Sequence, residues 1–157
     1  MTAAITDEAT VPPVTCPDYF DLVGERCYFF STNAITWNEA RNYCQTLNFQ
    51  FTADLAVLDL DCGDYRHLIS HMYLEEMSNA YWLGGSDKGH NGYWVWIDGR
   101  GMDLTSPYWN YNHPLVSTEY HCTLLDREAG KERYAIFSVE CNTTNRAICQ
   151  LDVHAKV

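Results

Sequence analysis

The spacing of apolar residues changes several times along the chain, and each change marks an expected element. Near the middle, Tyr81-Trp82-Leu83 is a bulky apolar run followed by Gly84-Gly85 and the polar pair Ser86-Asp87. Such a run predicts a buried strand, because large flat side chains fill a covered pleated surface. Gly84 and Gly85 remove side chains where another backbone comes close or where φ turns positive. A second aromatic strand is expected over Tyr93-Trp94-Val95-Trp96-Ile97, ended by Asp98-Gly99. Upstream, Tyr19 to Val23 and Arg26 to Phe30 predict a hairpin turning at Gly24.

Helical spacing appears twice. Thr36 and Glu39 form a Thr-x-x-Glu capping box, and Trp37, Ala40, Tyr43, Cys44 and Leu47 follow on one face. Leu55-Ala56-Val57-Leu58 is a short apolar run. A second helix carries Tyr65, Leu68, Ile69, Met72 and Tyr73 on one stripe, with Asp61 or Asp64 as its expected cap. From Asp98 to Glu119 the chain is mostly polar and turn-forming, a long loop of the kind that usually carries function. Strands are expected from His121 to Leu125, Tyr134 to Val139 and Asn145 to Leu151. Two early helices with strands before and after them indicate an α+β fold.

A length of 157 residues fits one domain with a core of its own. Residues 1–15 and 152–157 read as tails around a domain spanning 16–151. The start, Met1 to Thr10, lacks the basic and apolar regions of a signal peptide, so the numbering is expected to begin at a mature or engineered end. No stretch is long and apolar enough to span a membrane. A formal charge of −11 disfavours nucleic acid and anionic membranes as partners, since both need a basic footprint. Five Trp and eleven Tyr supply rings for a dense core or for a binding surface.

The cysteines are Cys16, Cys27, Cys44, Cys62, Cys122, Cys141 and Cys149. None forms a Cys-x-x-Cys pair, so zinc ribbons and thioredoxin-type motifs are absent. Their wide spacing fits disulfides and an oxidising, extracellular compartment. Asn142-Thr143-Thr144 is a sequon that makes Asn142 a glycosylation candidate.

Taken together, the pattern resembles a C-type lectin-like domain over roughly residues 16–151. The resemblance rests on the hairpin with Cys16 and Cys27, on Trp37-Asn38-Glu39-Ala40-Arg41-Asn42-Tyr43-Cys44 and on Leu55-Ala56-Val57-Leu58. It rests also on Trp82-Leu83-Gly84-Gly85, Trp94-Val95-Trp96 and the ending Cys122…Cys141…Cys149. The stretch from Gly84 to Trp96 is similar in style to secreted single-domain lectins of arthropods. The resemblance implies two helices with small antiparallel sheets and a long loop region, stapled by Cys16–Cys27, Cys44–Cys149 and Cys122–Cys141. Cys62 is left over, either as a buried free thiol or as an intermolecular bridge that would make a homodimer.

Members of this family that bind sugar through calcium need about six to eight oxygen ligands around the metal. Glu-Pro-Asn or Gln-Pro-Asp in the long loop supplies some of them. The matching positions here are His113-Pro114-Leu115, which put an imidazole and an alkyl group where oxygens belong. A Trp-Asn-Asp triplet supplies others, and Ile136, Phe137 and Ser138 stand there instead. Asp87 matches an auxiliary position, Asn91 replaces a glutamate, and Glu119 sits one residue from its expected place. Asp87 and Glu119 remain as weak calcium candidates, and no metal or other cofactor is expected.

Other constellations carry less. His67 and His71 have zinc-compatible spacing but read as a solvated helix face. His113 and His121 could meet across the long loop, as a polar pair in preference to a metal site. Either Trp94 or Trp96 is expected to face inward, and Trp109 is either a loop anchor or a contact residue. No nucleophile, base and orienter set appears, so the chain is not expected to be an enzyme. The resemblance therefore implies a secreted binding protein for a glycan or microbial surface ligand. Its contact residues are expected to be Trp109, Asn110, Asn112, His113, Pro114 and Glu119. The rival reading is a calcium-independent protein-interaction module presenting Tyr108, Trp109, Tyr111, His113 and Leu115.

Overall fold

The computed structural model describes residues 15–47, 50–58 and 63–151. The turn at Gly24 (φ +62°) joins β1 (Asp21–Val23) to β2 (Arg26–Phe30) with Val23 opposite Arg26. Only glycine takes that positive φ without strain. Helix α1 (Trp37–Thr46) begins with the expected capping box: Glu39 N–H donates to Thr36 Oγ1, and Thr36 N–H donates to Glu39 Oε2. Its buried face is Trp37, Ala40 and Cys44.

The apolar run Leu55 to Leu58 is fully buried, but the strand β3 (Ala53–Leu55) begins earlier and ends within it. Helix α2 (Asp64–Leu74) buries Tyr65, Leu68 and Met72. Asp64 is not its cap. Gly63 holds that place without a side-chain bond, and Asp64 lies buried in the first turn, 3.0 Å from Arg26 Nε. A buried carboxylate needs a cationic partner more than the helix end needs a cap. Asp61, the other proposed cap, and Cys62 lie outside the described residues.

The run that anchors the sequence pattern is β4 (Tyr81–Ser86), and the fold is assembled on it. It pairs with β5 (Val95–Trp96), with β6 (Cys122–Arg127) and, in parallel, with β8 (Arg146–Leu151). β7 (Tyr134–Val139) lies outside β6. The path β1-β2-β8-β4-β6-β7 makes one mixed sheet among the described residues, with β3 paired to β8. The parallel β4–β8 contact departs from the antiparallel expectation. Gly84 allows the run at 55–56 to cross it: an added Cβ would sit 3.0 Å from Leu55 O, and Gly84 N–H donates to Ala56 O at 2.8 Å. Trp37 and Trp82 tie α1 to β4 through bonds from their indole N–H groups to Leu83 O and Ile35 O.

Three disulfides join Cys16 to Cys27, Cys44 to Cys149 and Cys122 to Cys141, the pairs the resemblance implies. The second links α1 to β8, and the third links the end of the long loop to the end of β7.

Both Trp94 and Trp96 are buried, not one of the two, because residues two apart along an extended chain share a face. The hydrogen-bonded strand is only Val95–Trp96, shorter than the expected 93–97, and Tyr93 lies exposed on the opposite face.

Candidate functional site

The long loop is an ordered structure built along the outer edge of β7. Ile136 N–H donates to Tyr108 O and Asn110 N–H donates to Ile136 O, which satisfies the edge that a free strand would expose. Trp109 is buried, meets Trp94 edge-on at 5.7 Å and donates from Nε1 to Asp103 O. It is therefore the loop's anchor and not a contact residue. Asn112 adopts φ +64° in a tight turn, and the following His113–Pro114 peptide bond is cis.

His113 turns back to the sheet. Ser138 N–H donates to His113 Nδ1 at 3.0 Å, the Ser138 hydroxyl lies at the same distance, and Leu115 N–H donates to Ser138 Oγ. Phe137 packs edge-on against the imidazole at 5.1 Å. The accepting Nδ1 places the ring proton on Nε2, and burial holds this imidazole below its ordinary pKa. The positions assigned by resemblance to calcium ligands thus come together as His113 and Ser138, hydrogen-bonded to each other, with Phe137 packed on the imidazole. An imidazole, a phenyl ring and an engaged hydroxyl do not fit a cation that demands several oxygens.

His113 and His121 do not share a contact network. His121 Nδ1 lies 2.7 Å from Asp87 Oδ1, and its Nε2 lies 2.8 Å from Thr118 O. Both partners are acceptors, so the protonated ring, donating from both nitrogens, is the form this geometry favours. The Asp87 carboxylate and the Thr118 carbonyl accordingly raise its pKa. The other oxygen of buried Asp87 accepts the Gly92 N–H at 2.9 Å. Asp87 is thereby spent on protein hydrogen bonds and fits a structural post better than a calcium ligand.

This pair ties together the two loops that form the walls of a groove of about 760 Å³. One wall is Asp87, Asn91 and Gly92; the other runs from Pro114 to Glu119; Trp94 and Leu104 complete it. That volume lies within the usual range for small-ligand sites. Among the six contact residues expected from sequence, Pro114 and Glu119 line the groove. Trp109, Asn110, Asn112 and His113 do not; they hold the loop. Leu104, Val116 and Thr118 were missed, because a groove wall has no sequence period to reveal it. Tyr108 stacks on Tyr65 at 3.8 Å, so it too belongs to the scaffold.

The histidines on α2 have other partners. His71 stacks on Phe30 and reaches Asp21, while the His67 ring lies over Gly24 and Gly63. Asn142 and Thr144 are exposed in the turn between β7 and β8. Among the described residues no helix is long and apolar enough to cross a membrane.

A family model described as the lectin C-type domain matches residues 33–151. Perlucin from Haliotis laevigata is 31 % identical, over 86 % of this chain and 82 % of its own length. Lectin BRA-3 from the barnacle Megabalanus rosa is 25 % identical, over 92 % of this chain and 83 % of its own. Other curated relatives are longer: the chain spans 54 %, 28 % and 60 % of three C-type lectin domain family proteins from Homo sapiens and Mus musculus. The C-type lectin domain of murine dendritic cell inhibitory receptor 2, solved in complex with N-glycan, superposes with a TM-score of 0.69. It is 20 % identical, and the match covers 87 % of this chain and 98 % of that one.

Proposed function

The chain belongs to the C-type lectin domain family, and from that premise we propose that it binds a glycan or microbial surface ligand in the groove between the Asp87–Gly92 and Pro114–Glu119 walls, without a calcium-mediated sugar site. The observation that carries this is the His113, Phe137 and Ser138 cluster, which fills the expected calcium position with a hydrogen-bonded imidazole and hydroxyl and a phenyl ring packed on the imidazole. Sugar recognition then falls to side chains, with apolar Leu104, Leu115 and Val116 offered to a ring face and Asn91 and Thr118 to hydroxyls. The family is one of binding domains, in keeping with a non-enzymatic role. Three disulfides favour an extracellular setting. A domain boundary near residue 16 fits Cys16 as the first stapled residue.

A second reading is a protein partner, favoured by the exposure of Tyr111 (85 %) in the long loop and of Val116 (107 %) in the groove wall. Capture of the chain on a glycan array, with and without chelator, separates the two. Chelator-resistant capture that Leu115→Asp abolishes supports the glycan reading. Chelator-sensitive capture contradicts the calcium-free site, and silence on every glycan moves the lead to a protein partner.

A further inference from the structure

Charge decides what this groove accepts. Its ionisable lining residues are Asp87 and Glu119, and no Lys, Arg or His lines it. Asp87 is already compensated by the His121 imidazolium and the Gly92 N–H. Glu119 is different. It is exposed, its backbone N–H donates to Ser117 Oγ, and its carboxylate has no hydrogen bond or ion pair among the described residues. The cationic groups nearest in sequence to the walls are committed to other partners: both ring nitrogens of His121 are held by Asp87 and Thr118 O. Lys88 Nζ donates to Asn38 Oδ1 at 2.8 Å and lies over the Trp37 ring, and Arg100 pairs with Asp98 at 2.9 Å. The formal charge of −11 adds a field that repels anions.

We infer that the groove selects a saccharide carrying a free protonated amine, a 2-amino-2-deoxy sugar, and that Glu119 is the residue that selects it. This rests on the glycan reading above and names the chemical class of its ligand. The sugar's C–H face lies against Leu104, Leu115 and Val116, and its hydroxyls meet Asn91 and Thr118. The ammonium meets the Glu119 carboxylate in a charge-assisted hydrogen bond. An N-acetylated sugar keeps the shape but loses the charge. A sulfated or sialylated sugar brings an anion to a carboxylate with no lining cation to receive it.

The test is calorimetric titration at low salt and mildly acidic pH with two oligosaccharides of equal length, one N-acetylated and one with free amines. A sulfated oligosaccharide and an oligolysine of equal charge to the free-amine sugar are the controls. The free-amine form is expected to bind about ten times more tightly than the N-acetylated form, the size of one hydrogen bond to a charged group. Glu119→Gln brings the two to parity. Glu75→Gln, on the exposed end of α2 away from the groove, keeps the preference. Equal binding of the two sugars, a preference that survives Glu119→Gln, or equal losses from both variants would overturn the inference. So would oligolysine binding as tightly as the free-amine sugar, which would mark general attraction to an acidic surface. Binding of the N-acetylated sugar without an amine preference removes this inference and leaves the glycan reading standing. Silence from every oligosaccharide removes both.

Discussion

The carboxylate of Asp87 and the imidazole of His121 meet at 2.7 Å, and this contact joins the two walls of the groove. A second bond, from His121 Nε2 to Thr118 O, pins the middle of the outer wall. The ring must keep both protons to hold both partners. Asp87 raises its pKa most, followed by the Thr118 carbonyl, while desolvation and, less, Lys88 oppose them. A raised folded pKa gives stability that is fully present below the unfolded value of about 6.5 and lost as pH rises through the folded value. Amide exchange at Leu115 to Glu119 is expected to speed up on going to alkaline pH beyond the intrinsic trend. Asp87→Asn should abolish that excess. An NMR titration of His121 with a midpoint at or below 6.5 would contradict it.

His113 requires the opposite protonation state. Its Nδ1 accepts from Ser138 N–H, and burial lowers its pKa. A depressed folded pKa in a base means that the unfolded chain binds more protons between that pKa and about 6.5. Stability from this group is therefore present above 6.5 and lost as pH falls through the window below it. The two ends of the 113–121 segment then titrate with opposite sign, and urea denaturation across pH should show both slopes. A Ser138→Ala variant should lose about 1 kcal/mol, because Leu115 N–H loses its acceptor. A loss near zero would mean that the hydroxyl holds nothing.

The glycine pair makes a sharper structural prediction. At Gly84 an added Cβ meets backbone, with Leu55 O at 3.0 Å and Ala56 O at 3.1 Å. At Gly85 the close atoms are the Met102 side chain, whose sulfur lies at 2.5 Å, with Thr123 Oγ1 at 3.1 Å. Gly84→Ala should cost about 1–3 kcal/mol by forcing the buried run off β4. Gly85→Ala should cost less if Met102 rotates away, since a thioether chain adapts readily. Thermal unfolding of both variants checks the order.

The scaffold was more legible in the sequence than the site. Local rules hold where local chemistry decides: the Thr36–Glu39 box, the Gly24 turn and the Trp37, Ala40, Cys44 stripe all appear as expected. They fail where a distant partner wins. Asp64 leaves the capping position to serve Arg26, and the strand expected over 93–97 shortens to Val95–Trp96, with Trp94 packed against Trp109 from the long loop. The groove lies between segments about thirty residues apart in sequence. Its walls are set by single contacts such as Asp87 with His121, which no periodicity encodes. His113 was singled out through family resemblance, and its use as an acceptor for β7 emerged only from the packing.

Asn142 lies in the turn between β7 and β8, exposed together with Thr144, while Thr143 is used by the turn through its bonds to Glu140 O. Expression through a eukaryotic secretory route should therefore add a glycan at Asn142 that Asn142→Gln removes. A shift in mobility on amidase treatment reads it directly, and a wild-type band that does not move would contradict the assignment.

The central claim is that the ligand site works without the family's calcium. Calorimetric titration of the metal-stripped chain with calcium at millimolar concentration tests it most directly. The His113, Phe137 and Ser138 cluster and the spent Asp87 predict no saturable heat and no change in unfolding temperature. A saturable isotherm, with the unfolding temperature rising as calcium is added, would contradict the account and return the groove to metal-mediated sugar binding.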